Sequence, residues 1–148
     1  FTYGGYRNRR GAINRIGFRL TPPADRLISC DAMCGNCVLI PDAVADIVGN
    51  IAPEYRHKWG DVDYGMRAVK SGCQIWIAPG YLADCSANPD ADRWKMPGVL
   101  WKERLAELHS VKGLGKQDWF RFVRRHAGLM WPLVWLSPYV RILINSSK

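Results

Sequence analysis

The chain reads as an α/β fold with a helical C-terminal appendage, and three features predict it. β-type and helical patterns alternate between Cys30 and Gly80; inside that stretch a helix, a tight turn and a strand follow one another; beyond Trp94 the patterns are helical. At 148 residues the chain can bury a real core. Its apolar share of 48% is ordinary for a globular protein. No internal repeat and no low-complexity stretch interrupts it. The expected division is residues 1–97 as the α/β portion and 98–148 as a helical, basic and apolar extension.

Taken in order, Arg7, Arg9, Arg10, Arg15 and Arg19 crowd the opening segment with no acid among them. Cys30, Cys34 and Cys37 follow at loosely zinc-like spacing, which Cys73, Cys85 or His57 would complete. Paired C-x-x-C knuckles are missing, however, and an odd count of 5 cysteines suits free thiols in a reducing cytoplasm. Cys37 opens the apolar run Val38-Leu39-Ile40 and reads as a small buried hydrophobe. A short helix ending at Gly49 comes next.

The stretch Trp59-Gly60-Asp61-Val62-Asp63-Tyr64-Gly65-Met66-Arg67 sets two carboxylates at the start of an amphipathic helix behind a glycine turn. Val62, Met66 and Val69 share one face, Asp63 and Arg67 form an i, i+4 pair on another, and Gly72 stops the helix. A carboxylate in the first helical turn is held by a rigid element and feels the positive end of the helix dipole. Asp61 is therefore either a well-placed general base or an ordinary N-cap. Asp61-Val62-Asp63 also spells Asp-x-Asp, a string with hard oxygens for a divalent cation. Residues i and i+2 of a helix point in different directions, which favours the base over the metal reading. Gln74 to Ala78 then reads as a buried strand closed by Pro79-Gly80, with Trp76 in the core.

Helical patterns run near Gly98 to Leu108 and Gln117 to His126, separated by the break Lys112-Gly113-Leu114-Gly115. The tail from Leu129 to Ile144 is apolar and aromatic, but Pro132, Pro138 and Arg141 interrupt it, and it is too short for a hydrocarbon layer of roughly 30 Å. Two readings stand: a monotopic membrane contact through residues 121–144, or a helix packed on the domain or on a second copy. The net charge of +8 needs anionic partners or open water. No nucleic-acid module accompanies the basic zones, so nucleic acid is not expected as a partner. Anionic lipid headgroups or a polyprenyl diphosphate acceptor account for the charge better.

The order Cys30-Asp31-Ala32-Met33-Cys34-Gly35-Asn36-Cys37-Val38-Leu39-Ile40-Pro41, the helix to Gly49, Tyr55 through Ala68, and Ala78-Pro79-Gly80 resembles the acceptor-side half of a family 2 glycosyltransferase of the GT-A fold. The resemblance runs from about Tyr3 to Gly80. Further on, His109 to Leu114, and Arg124-Arg125-His126-Ala127-Gly128 through Ser137-Pro138-Tyr139, resemble the C-terminal tail of one bacterial branch of that family.

The resemblance implies a partial GT-A fold, a mixed sheet with flanking helices, and an inverting transferase. The enzyme would move a sugar from a nucleotide-diphosphate donor to a glycan or lipid-linked acceptor hydroxyl, in cell-envelope polysaccharide or glycolipid synthesis at the inner face of the membrane. Asp61 maps onto the catalytic base, which takes the acceptor proton as the new bond forms. Gly35 and Asn36 would line the acceptor or donor-sugar wall, and His57 would hydrogen-bond acceptor or diphosphate. Trp59 and Tyr64 would offer ring faces to a sugar, while Gly60 makes the turn and Asp63 with Arg67 orients the base. The long polar connection Tyr81 to Pro97 would be a mobile loop over the acceptor.

Mg²⁺ or Mn²⁺ would bridge the donor phosphates, held mainly by an Asp-x-Asp in a preceding nucleotide-binding half. That pair and a Gly-rich phosphate loop are missing here, and the chain opens at Phe1. It is therefore expected to be a C-terminal portion that by itself neither binds donor well nor turns over. The family's metal-ligating histidine is replaced by Tyr81 to Ser86, where Asp84 or Cys85 could substitute. The competing reading is a noncatalytic basic module that docks on membranes or nucleic acid, with Asp61 only a helix cap. Homo-oligomerisation stays open.

Overall fold

Strand β1 (Gly5–Asn8) is the hub of the N-terminal portion, pairing antiparallel with β2 (Phe18–Thr21) on one side and β4 (Ala32–Met33) on the other. The computed structural model describes residues 2–8, 16–84, 86, 93–96 and 98–145. Arg9, Arg10 and Arg15 of the basic opening and Cys85 lie outside them. Strand β3 (Ile28–Cys30) pairs antiparallel with β5 (Ile75–Ile77) as a second, two-stranded sheet. Asp31, between β3 and β4, joins the sheets: its amide donates to the Tyr6 carbonyl at 2.8 Å and its Oδ2 accepts the Asn8 amide at 2.8 Å. Helices and strands are combined in a way compatible with an α/β reading, but the mixed sheet expected is not what forms: every pairing among the described strands is antiparallel.

Helix α1 (Asp42–Val48) ends at Gly49, whose φ of 76° only glycine adopts without cost and whose amide bonds back to Ala45 at 2.7 Å. Helix α2 (Gly60–Lys70) lies across β4, and its approach depends on Gly65. A Cβ there would stand 3.0 Å from the Met33 nitrogen and 3.1 Å from the Ala32 Cα, both rigid backbone atoms. The expected stop holds: after Ser71, Gly72 turns the chain and the Cys73 amide reaches back to the Ala68 carbonyl at 2.9 Å.

The C-terminal portion is helical, with α3 (Trp101–His109), α4 (Lys116–His126) and α5 (Trp131–Asn145). The connection expected to be a loop from Tyr81 to Pro97 contains a short 3₁₀ turn at Arg93–Lys95 that buries Trp94; its residues 87–92 and 97 lie outside the described set. The apolar tail forms one continuous helix, α5, with Pro138 inside it. Proline there leaves the Val134 carbonyl without its amide partner. The Ser137 hydroxyl takes that place, donating to Val134 at 2.8 Å.

One hydrophobic cluster joins the two portions, drawing Ile16, Ala32 and Val62 from the first and Leu108, Phe122, Val123 and Val134 from the second. Phe122, fully buried, is worth about 1.5–3 kcal/mol by removal from water alone. It stacks on Trp59 with centroids 4.5 Å apart, and Trp119 packs against the same indole at 5.1 Å. Two expectations about the core fail. Trp76 is 50% exposed, because β5 pairs, among the described strands, with β3 and turns its middle side chain outward. Cys37 is exposed as well, since no strand follows it to carry the run inward.

Candidate functional site

Helix α2 begins under tension. Trp59, just before the first helical residue, has φ of 79° and is the one described non-glycine residue with positive φ, a state that costs roughly 1–3 kcal/mol. Packing holds it there: the indole stacks on Phe122 and donates its Nε1–H to the Leu114 carbonyl at 3.0 Å. No side chain caps this helix, so Asp61 is not its N-cap; Asp61 is the second helical residue.

The Asp61 carboxylate is half-buried and fixed by backbone donors. Its Oδ2 accepts the Gly35 amide at 2.8 Å and its Oδ1 accepts the Val62 amide at 2.8 Å. A side chain at position 35 would crowd this contact, since a Cβ would stand 3.3 Å from the Asp61 Cβ. Beside it the Cys34 thiol donates to Asn36 Oδ1 at 2.9 Å. Burial, and then the charge of Asp61, push the Cys34 thiol above its ordinary value, so it is a neutral hydrogen-bonding group at pH 7 and not a thiolate nucleophile. The fold thus gathers Gly35, Asn36 and Asp61, and adds Cys34, which the site reading had left out. His57 is exposed on the segment before the helix.

Asp63 has a different fate. Fully buried, it accepts from Arg125 Nη1 at 2.9 Å, from Tyr55 Oη at 3.2 Å and from Arg67 Nε at 2.9 Å, with His126 Nε2 also 2.8 Å from its Oδ1. Burial alone would raise its pKa, but the hydrogen bonds from His126, Arg125 and Arg67 outweigh that and hold the carboxyl well below the usual carboxylate range. Burial and the Asp63 charge push the Tyr55 phenol far up, and the hydrogen bond to Asp63 strengthens the hold of Arg125 on its proton. The expected Asp63–Arg67 pair therefore forms, and Arg67 also caps α1 by donating to the Val48 and Asn50 carbonyls at 2.6 and 2.9 Å.

Neither Asp63, expected to orient the base, nor Tyr64, expected to offer a ring face to a sugar, lies at an open surface. Asp63 faces the packed interior, and Tyr64 is 4% exposed, so its ring has no free face for a sugar. Gly60 is buried beside Ile51 and Tyr55, and Trp59 spends its ring on Phe122. Tyr55, Arg125 and His126 were missed because they reach Asp63 from 8, 62 and 63 residues away. The available signal was Arg124-Arg125-His126 itself, a cationic run with no acid of its own nearby.

The implied Mg²⁺ or Mn²⁺ finds no cage in these residues. Among the described residues no three His, Cys, Asp or Glu side chains converge on a point. Asp61 and Asp63 diverge into different partner sets, Cys30 is buried with its thiol pushed up to about 11 by burial and by Asp31, and Asp84 stands exposed. The cysteines described are all free thiols. Comparison of the chain with protein families, with curated proteins and with solved structures finds no match.

Proposed function

We propose that this chain is the acceptor-side part of an inverting family 2 glycosyltransferase of the GT-A fold, with Asp61 as its general base. One observation carries the reading: the carboxylate that the resemblance makes the base is half-exposed on a rigid helix start, and it is docked against the Gly35-Asn36 loop that the resemblance makes the sugar wall. Transfer with inversion requires a single in-line displacement. The oxygen–carbon bond forms at the anomeric centre, the bond to the nucleotide diphosphate breaks, and the acceptor proton passes to Asp61. A base positioned this way contributes roughly 10²–10⁴-fold in rate. The two backbone amides fix the carboxylate's direction, so little ordering remains to be done when acceptor binds.

Asp63 takes the role of a positioning residue, locking α2 against α4 through Arg125 and His126. No step is assigned to a metal held by these residues. The test uses the polypeptide produced from the complete reading frame. Incubated with a panel of nucleotide-diphosphate sugars and a lipid-linked or glycan acceptor, it is expected to release nucleotide diphosphate and form a product of inverted anomeric configuration. Retention of configuration, or no transfer from any donor in the panel, contradicts the proposal.

A further inference from the structure

Helix α5 is apolar on both sides, and one side is exposed. At 100° per residue, Val134, Pro138 and Ile142 form the inward face and are buried against the rest of the chain. Leu133, Leu136, Val140, Leu143 and Ile144 fall on the opposite face, all exposed, and Leu129 just before the helix is 97% exposed. A helix with apolar residues all round belongs in a core or in contact with lipid. At 15 residues it rises only about 22 Å, and among the described residues no helix is long and apolar enough to cross a membrane.

The flanks of that stripe are basic. On one side Trp135 forms the wall of a cleft of about 820 Å³ shared with Lys116, Arg121, Arg124 and Arg125 of α4. On the other, Arg141 is exposed. From Trp119 to Lys148 the sequence contains no Asp or Glu. Arg125 is committed to Asp63 and Glu54, and Arg121 donates to the Glu54 carbonyl, which leaves Lys116 and Arg124 as the cations facing outward.

We infer that α5 lies flat on an anionic lipid bilayer, with the Leu133 to Ile144 stripe seated among the acyl chains and Lys116 and Arg124 on headgroup phosphates. The charge selects this occupant. A second copy of the chain would bring the same cations against each other, whereas an anionic surface neutralises them. Apolar stripe, flanking cations and border aromatics are the pattern of an interfacial helix.

Co-sedimentation of the full chain with phosphatidylcholine vesicles, with and without 30% phosphatidylglycerol, tests this directly and reads no transfer activity. Binding is expected to be strong only with phosphatidylglycerol present. The double change Val140→Glu with Leu143→Glu is expected to lower it at least tenfold, roughly the effect of taking charge into the acyl boundary. Lys116→Gln with Arg124→Gln is expected to lower it by roughly fivefold per charge removed. Circular dichroism and urea midpoints check folding, and Leu133→Gln with Leu136→Gln replaces the first pair if that variant unfolds. No sedimentation with either vesicle, or parent-like binding by both apolar variants, overturns the inference. A dimer abolished by the same changes, without vesicle binding, overturns it in favour of self-association.

Discussion

Asp61 and Asp63 are separated by a single residue in sequence and belong to different parts of the molecule. Successive helical residues turn by about 100°, so positions i and i+2 point about 200° apart. Asp61 stays at the surface, held by two backbone amides from Gly35 and Val62. Asp63 is driven inward, where side chains from the loop before α2, from α2 itself and from α4 surround it. The lesson is that an acidic string takes its role from its partners: one carboxylate stays half-buried at the surface on two backbone amides, the other is consumed in holding the C-terminal helices on.

The sharpest way to break this comparison is to delete each carboxylate in turn. Asp63→Ala is expected to cost about 3 kcal/mol of unfolding free energy in urea at pH 7, the low end for breaking a buried ion pair because Arg67 and Arg125 are themselves partly exposed. Asp61→Ala, which loses two backbone contacts at a wetter site, is expected to cost about 1 kcal/mol. Equal losses would erase the distinction. Acid sharpens it further. Because the folded pKa of Asp63 is depressed, its stabilisation is fully present above the ordinary carboxylate value near 4 and is lost as pH falls through the folded value. Urea midpoints of the parent are therefore expected to fall below about pH 4, and those of Asp63→Asn to fall less steeply over the same window.

Smaller effects follow outward from the buried carboxylate. Arg125→Gln removes one donor to Asp63 that is itself partly exposed, and about 1 kcal/mol is expected. Glu54→Gln breaks only the outer Arg125 contact at the surface, and the smallest change of the series is expected in the urea midpoint. A reversed order of these two would place the lock at Glu54.

Much of the local structure was legible. The periodicity of Val62, Met66 and Val69, and the glycine stops at Gly49 and Gly72, located α1 and α2 because helix ends are written in nearby residues. Trp76 was misplaced because a short apolar run does not say which face an edge strand buries. The tail's prolines were legible but not their tolerance inside α5, because the hydroxyl of Ser137, which takes the place of the lost amide, is a detail of that turn. The candidate site was legible only in part. Asp61 stood out by its place in the helix, but its Gly35 partner lies 26 residues away and came with the resemblance alone. The Asp63 cluster depends on residues more than 60 positions off, a separation that no local pattern records.

The proposed division of labour is that the Asp61 oxygen takes a proton while Asp63 holds the scaffold. It is tested most directly by sugar transfer from the complete reading frame carrying Asp61→Asn, measured beside its urea midpoint. A rate lowered at least about 100-fold is expected, with a midpoint lowered only modestly, because the Asn side-chain nitrogen cannot accept from one of the two backbone amides that the carboxylate holds. A rate within a few-fold of the parent in a folded variant would contradict it.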